Sequence, residues 1–187
     1  MPDPRDVFIQ GKNVILKALS EDDVTNSGWH GWFNDAETTR FMQQRYFPNT
    51  MHKQLKHFQD TILGTPNKIQ LGILPKGEKQ IVGVTSLDNI DFLNRKADIS
   101  IIIGEKKFLG RGLGTEAIKL LLGHAFGRLN LHKIGLGVLS GHKAAIRSYE
   151  KAGFVIEGTL KDEVLLDGQY HDVTRMGILA ENFKTDL

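Results

Sequence analysis

Three alternate glycines, Gly110, Gly112 and Gly114, stand between a β-branched run ending at Ile103 and a regular apolar stripe that begins at Leu113. Glycine lacks Cβ, so such a loop can curl until successive backbone N–H groups converge. A helix starting immediately after it adds unpaired N–H donors and the positive end of its dipole. This combination suits a pyrophosphate, and Lys106, Lys107 and Arg111 can add charge at the rim. The loop alone does not choose a ligand. Gly114 is followed by Thr115-Glu116, not by the Lys-Ser or Lys-Thr of a nucleoside-triphosphate loop. A dinucleotide fold needs more alternating units than the remaining residues can build. Turn glycines without a ligand stay open as an alternative.

Composition narrows the chemistry further. The chain has 187 residues, 40% of them hydrophobic, and no cysteine. That excludes a disulfide framework, cysteine-ligated zinc and a cysteine nucleophile. This length suits one domain that folds without metal. With 24 basic and 22 acidic residues spread along the chain, no clustered footprint for nucleic acid is present. His52, His57, His132, His142 and His171 have no metal-ligand spacing, so no metal is expected. Neither a signal peptide nor a membrane-length apolar run is recognised, and a cytoplasmic protein is expected.

The elements that must position the loop follow from periodicity. Val14-Ile15-Leu16 with Leu19 reads as a strand, and Ser20 to Asp23 as a capped helix start. A mostly helical, aromatic stretch continues to Leu63, where Gly64 and Pro66 end it. Ile69 to Ile73 and Ile81 to Leu87 form a hairpin about Pro75 to Glu78, and Asp88 to Arg95 reads as a polar break. Ala97 to Ile103 is a strand and Leu113 to Leu129 the clearest helix. A strand from Ile134 to Val138 and a helix from Lys143 to Lys151 follow, the latter closed by Gly153. Two strands joined by Asp167-Gly168 complete the chain. The order predicts one mixed α/β domain.

The segment Ser140 to Phe154, containing Ala145-Ile146, Tyr149-Glu150-Lys151 and Gly153-Phe154, joins the glycine loop in a second motif. Together they resemble the GNAT superfamily of N-acetyltransferases, and more narrowly its branch of ribosomal-protein alanine acetyltransferases. The likeness also covers Gly11 to Leu19, Trp32 to Asp35 and Asp167 to Asp172. Leu109 stands where the family has Arg or Gln, and His142 where it has Asn. The resemblance implies a single N-acetyltransferase domain over residues 8–183. It implies a mixed, mostly antiparallel sheet of about seven strands flanked by helices and splayed around acetyl-CoA.

For the cofactor, the resemblance implies contacts from Ile102, Ile103, Leu109, Gly110, Arg111, Gly112, Leu113, Gly114, Thr115, His142, Ala145 and Tyr149. Tyr149 matches the tyrosine that protonates the departing sulfur. Asp98 occupies the position of the family's base, and Glu105, beside the loop, is the next candidate. An N–H near Ile102 or Ile103 would face the thioester oxygen. Direct attack in a ternary complex is expected, because no cysteine can carry the acyl group.

The acceptor wall is expected between Trp29 and His57. Trp29, Trp32 and Tyr46 would supply flat surface there, and Glu37 and Arg40 polar selection. Arg40, Arg45, Lys53 and Lys56 favour an anionic amino sugar or sugar nucleotide over a polyamine or aminoglycoside. A protein N-terminus is the second acceptor class, and a non-catalytic acyl-CoA sensor the rival to an enzyme. Val164 to Leu166, on an edge strand, favours a homodimer.

Overall fold

The computed structural model describes residues 3–184. Its strands are β1 (Val7–Gln10), β2 (Val14–Ala18), β3 (Ile69–Pro75), β4 (Gly83–Asp91), β5 (Lys96–Ile103), β6 (Lys133–Leu139), β7 (Val155–Leu166) and β8 (Gln169–Leu179). They form one sheet in the order β1-β2-β3-β4-β5-β6-β8-β7. Helices α1 (Glu21–Asn26), α2 (Trp29–Trp32) and α3 (Met51–His57) lie between β2 and β3. Helix α4 (Leu113–Gly127) links β5 to β6, and α5 (Lys143–Lys151) follows β6.

The sheet has one strand more than the motifs imply. Val7 to Gln10 alternates half-buried and exposed residues, so its apolar signal is too weak to read as a strand. The supposed break at Asp88 also lies within β4, where Asp88 pairs with Asp98 of β5. Its polar side chains face away from the apolar core, which hides the strand from a hydrophobicity reading.

Each face of the sheet has its own cover. Helix α4 brings Leu113, Ala117, Ile118 and Leu121 onto Val14, Leu16, Ile99 and Ile134, and α5 adds Ile146 and Tyr149 to the same core. On the opposite face Val24, Trp29, Trp32 and Phe58 pack on Ile81, Val84 and Ile102. A lid is thus built over the sheet from the aromatic stretch.

The start of that lid is held by a buried ion pair. Ser20 and Asp23 form a reciprocal cap on α1. The Asp23 carboxylate also accepts from Lys17 Nζ of β2 at 2.8 Å, and both side chains are buried. Removing Asp23 leaves Lys17, among the described residues, with only the distant Asp6 carboxylate at 3.8 Å, at a cost of roughly 3 kcal/mol. Asp23→Asn should therefore lower the urea midpoint strongly, and a midpoint unchanged from wild type would show the pair to be dispensable.

Only β5 and β6 run parallel, and their pairing ends early. It covers Lys96↔Lys133, Ala97↔Ile134 and Asp98↔Gly135. Beyond Asp98, β5 remains bonded to β4, while β6 beyond Gly135 remains bonded to β8. The two strands therefore diverge, and alternate backbone N–H and C=O groups of Ile99 to Ile103 border a gap. At the far edge, β7 carries register shifts between Ile156 and Gly158 and between Leu160 and Val164, with Asp162 at φ 50°. Leu166 turns inward and is buried. Those bulges interrupt the straight edge that the homodimer expectation relied on.

Candidate active site

The glycine loop is shaped by its own backbone. Gly110 and Gly112 have φ of 73° and 78°, and a Cβ at either would meet no protein atom within 4 Å. Gly112 caps α4, whose first helical bond runs from Glu116 N–H to the Gly112 carbonyl. The N–H groups of Leu113, Gly114 and Thr115 thus lack helical acceptors. They face a cleft of about 880 Å³, which Ile103, Leu109 and Gly110 also line.

Lys119, Ser148 and Lys151 also line that cleft. None was singled out as a site residue from sequence, yet a signal existed. Lys119 lies one helical turn beyond Thr115, and Lys151 belongs to the second motif. An open cradle with free N–H donors and cations on its wall fits the pyrophosphate of acetyl-CoA. Leu109 is 54% exposed and has no side-chain donor, so only its backbone can serve there. Arg111 lies over the Phe108 ring and borders a smaller neighbouring cavity with Lys12 and Lys76.

Glu116 fixes the start of α4 to the sheet. Its carboxylate accepts from Asn13 N–H at 2.7 Å, Asn13 Nδ2 at 2.8 Å and Val14 N–H at 3.2 Å. Burial opposes its ionisation, but these donors outweigh burial and hold the carboxyl below its usual range. A depressed carboxyl stabilises the fold above its unfolded pKa and loses that effect as pH falls through the folded value. The anchor is therefore complete at neutral pH.

Asp98 is the last β5 residue paired with β6, so it stands where the gap opens. It faces the lid side of the sheet, since its alternate neighbour Ile102 packs under Trp32. Its carboxylate has two long contacts, Asn89 Nδ2 at 3.3 Å and Arg175 Nη2 at 3.5 Å. Directly across the strand pair lies Asp88, held by Lys68 at 2.5 Å and the Ser86 hydroxyl at 2.7 Å. Tyr149 approaches from the opposite face, in the α4 core, with 8% exposure. Burial pushes its phenol up to about 12. Among the described residues nothing hydrogen-bonds its hydroxyl.

The packing gives several of the expected site residues partners of their own. Trp29 is 1% exposed and lies in the lid core, so it offers no surface to an acceptor. Trp32 is also buried, and its indole Nε1 donates to Glu105 Oε1 at 2.9 Å. Its ring lies so close over Gly104 that a Cβ there would come within 1.9 Å of it. Glu105 thus anchors the lid through Oε1. Glu37 is drawn to Lys106 at 2.8 Å, beside Asp35 at 2.9 Å, which clamps the lid to the residues leading into the glycine loop. Backbone Thr38 and Lys106 hold the Asp35 carboxyl at about 2, so this clamp stays ionised.

Farther along the lid, Arg40 covers Phe41, whose ring stacks on His142 at 4.1 Å. His142 caps no N–H, and burial together with Arg40 lowers its pKa. Tyr46 Oη accepts the Asp167 N–H at 2.6 Å, tying the lid to the β7–β8 turn. Of the remaining cofactor candidates, Ile102 turns into the lid core, and neither it, His142, Ala145 nor Tyr149 lines the cleft.

Because Glu105 is an anchor, Glu105→Gln should keep an oxygen for Trp32 and change kcat by no more than about twofold. A loss on the order of a hundredfold in steady-state assays would restore Glu105 as the base. Among the described residues, no helix is long and apolar enough to cross a membrane, and no cluster of His, Asp and Glu could hold a metal.

Residues 13–155 match the family model for the acetyltransferase (GNAT) domain. A spermidine N(1)-acetyltransferase of Vibrio cholerae is 36% identical over 59% of this chain and 64% of its own length. The Escherichia coli K12 spermidine N(1)-acetyltransferase is 30% identical over 91% of this chain and 88% of its own. The crystal structure of the Vibrio cholerae spermidine N-acetyltransferase with CoA and spermine superposes with a TM-score of 0.82 at 26% identity, covering 92% of this chain and 98% of that one. The match extends to the family as a whole, which is broader than the ribosomal-protein branch expected from the motifs. Three of the four lid cations behind the amino-sugar expectation have partners within the chain. Arg45 pairs with Asp167 at 3.1 Å, Lys56 with Asp60 at 2.5 Å, and Lys53 donates to the Pro48 carbonyl, while Arg40 lies over the Phe41 ring.

Proposed function

The chain belongs to the GNAT acetyltransferase family, and on that premise we propose that it moves acetyl from acetyl-CoA to a primary amine of a polyamine. The observation carrying this reading is the Asp98 carboxylate, half exposed and with only long contacts, at the point where β5 and β6 part. A polyamine presents an ammonium group to such a carboxylate. The names of the relatives support the same acceptor.

Acetyl-CoA supplies an activated acyl carbon. The N–H groups of Leu113, Gly114 and Thr115 take its pyrophosphate, helped by the positive end of α4. The gap between β5 and β6 would hold the pantetheine arm, where the strand N–H and C=O groups of Ile99 to Ile103 left unpaired by β6 are available to it. Asp98, on the lid face, receives and orients the amine and accepts its proton directly or through water. Tyr149, buried in the core on the other face, would supply the proton for the departing sulfur. The two faces of one opening thus divide the work, and no covalent acyl-enzyme is required.

A CoA-release assay across spermidine, spermine, an aminoglycoside, a nucleotide amino sugar and an alanine-initiated peptide tests the acceptor. The highest kcat/KM is expected with a polyamine. A value ten times higher on the peptide or the sugar would replace this reading.

A further inference from the structure

The lid face of the sheet holds a charge whose role the mechanism above leaves unused. Arg175 on β8 pairs with Gly137 of β6, and its guanidinium crosses β6 to reach Asp98 on β5 at 3.5 Å. Two glycines clear its way. A Cβ at Gly137 would stand 3.1 Å from Arg175 Nη1, and one at Gly135 would stand 3.3 Å from Asp98 Oδ1 and 3.7 Å from Arg175 Nη2. Gly135 and Gly137 therefore form a trough for this side chain.

A row of charge results, running Lys68, Asp88, Asp98, Arg175 across the sheet. Its two carboxylates differ in availability. Asp88 is tightly held by Lys68 and Ser86, with Ser100 Oγ at 3.3 Å. Asp98 has only long contacts, and it and Arg175 are 42% and 44% exposed. A half-exposed pair at this distance is weak and can open for an incoming ammonium.

We infer that Arg175 is a positioning residue for the acceptor: its guanidinium beside Asp98 keeps the amine from being held there as an unreactive ammonium. This rests on the amine-acetylation reading. An ammonium cannot attack a thioester until it loses its proton. A lone carboxylate favours the charged amine, and a neighbouring cation disfavours it. Arg175 thus trades acceptor affinity for deprotonation. The other charges near this face have partners elsewhere. Lys133 pairs with Glu157 at 2.6 Å, Lys96 lies toward Asp91, and His57, its pKa lowered chiefly by burial, lies beside Gln70.

The test measures kcat and KM for spermidine at pH 7, 8 and 9 in wild type, Arg175→Gln, Arg175→Lys and Gly137→Val, with thermal melts of each. In Arg175→Gln, KM for the amine should fall about threefold and kcat at pH 7 about tenfold, with the kcat deficit narrowing toward pH 9. Arg175→Lys should recover most of kcat. Gly137→Val keeps the guanidinium but crowds it out of its trough, so it should shift kcat and KM in the same directions as Arg175→Gln. Unchanged kcat and KM in Arg175→Gln, or a kcat loss equal at every pH with KM unmoved, would overturn the inference. If Arg175→Gln does not fold, Gly137→Val with wild-type kinetics would overturn it equally. Failure of the wild type to turn over spermidine would strike the polyamine reading alone, and the ratios would then be taken on the best amine of the panel.

Discussion

Gly112→Val should weaken acetyl-CoA binding at least about tenfold while leaving a folded protein. Gly112 has φ 78° and caps α4 at the mouth of the cleft. A β-branched residue is disfavoured in this left-handed conformation, by roughly 1–2 kcal/mol. No protein atom lies within 4 Å of the Cβ position, so the substitution creates no internal clash. What it fills is the open space in front of the unpaired N–H groups of α4. The penalty should therefore fall on the ligand more than on the fold. Calorimetric titration with acetyl-CoA, on protein with a native melting profile, measures it. Wild-type affinity would remove this loop from the cofactor site.

The loop and its helix were readable because both signals are local. Alternate glycines demand an unusual backbone wherever they occur, and the stripe from Ala117 to Ala125 has the helical period. The Asp167-Gly168 turn was readable for the same reason, with φ of 52° and 78°. Roles decided by distant partners were not. Glu105 resembles a free carboxylate until Trp32 arrives from the lid, and Trp29 resembles a binding surface until the second core closes around it. The lid cations suggested an anionic acceptor because a sequence records charges but not their counter-ions. Arg175 carried no signal at all. Its meaning depends on two glycines of β6 and one carboxylate of β5, brought together only by the sheet.

Tyr149→Phe should lower turnover by roughly a hundredfold with acetyl-CoA affinity little changed. The ring is buried and meets Phe154 edge-on at 5.8 Å, a contact that phenylalanine keeps. What the variant loses is one O–H. With the phenol pushed up to about 12 by burial, Tyr149 stays protonated throughout an assay from pH 7 to pH 9. Its proton is available at every pH in that range, so the Tyr149→Phe deficit should be nearly flat with pH. Asp98→Asn should behave differently. It removes the carboxylate that receives the amine, so KM for the acceptor should rise and kcat/KM should fall at pH 7. An aliphatic amine sheds its proton to solvent more readily as pH rises, so that deficit should shrink toward pH 9. Stopped assays of both variants, with folding verified by circular dichroism, separate the two roles. Near-wild-type turnover of Tyr149→Phe at every pH would reduce Tyr149 to packing. A pH-independent defect in Asp98→Asn would mean that Asp98 holds the opening between β5 and β6 in shape, and that the amine loses its proton before it arrives.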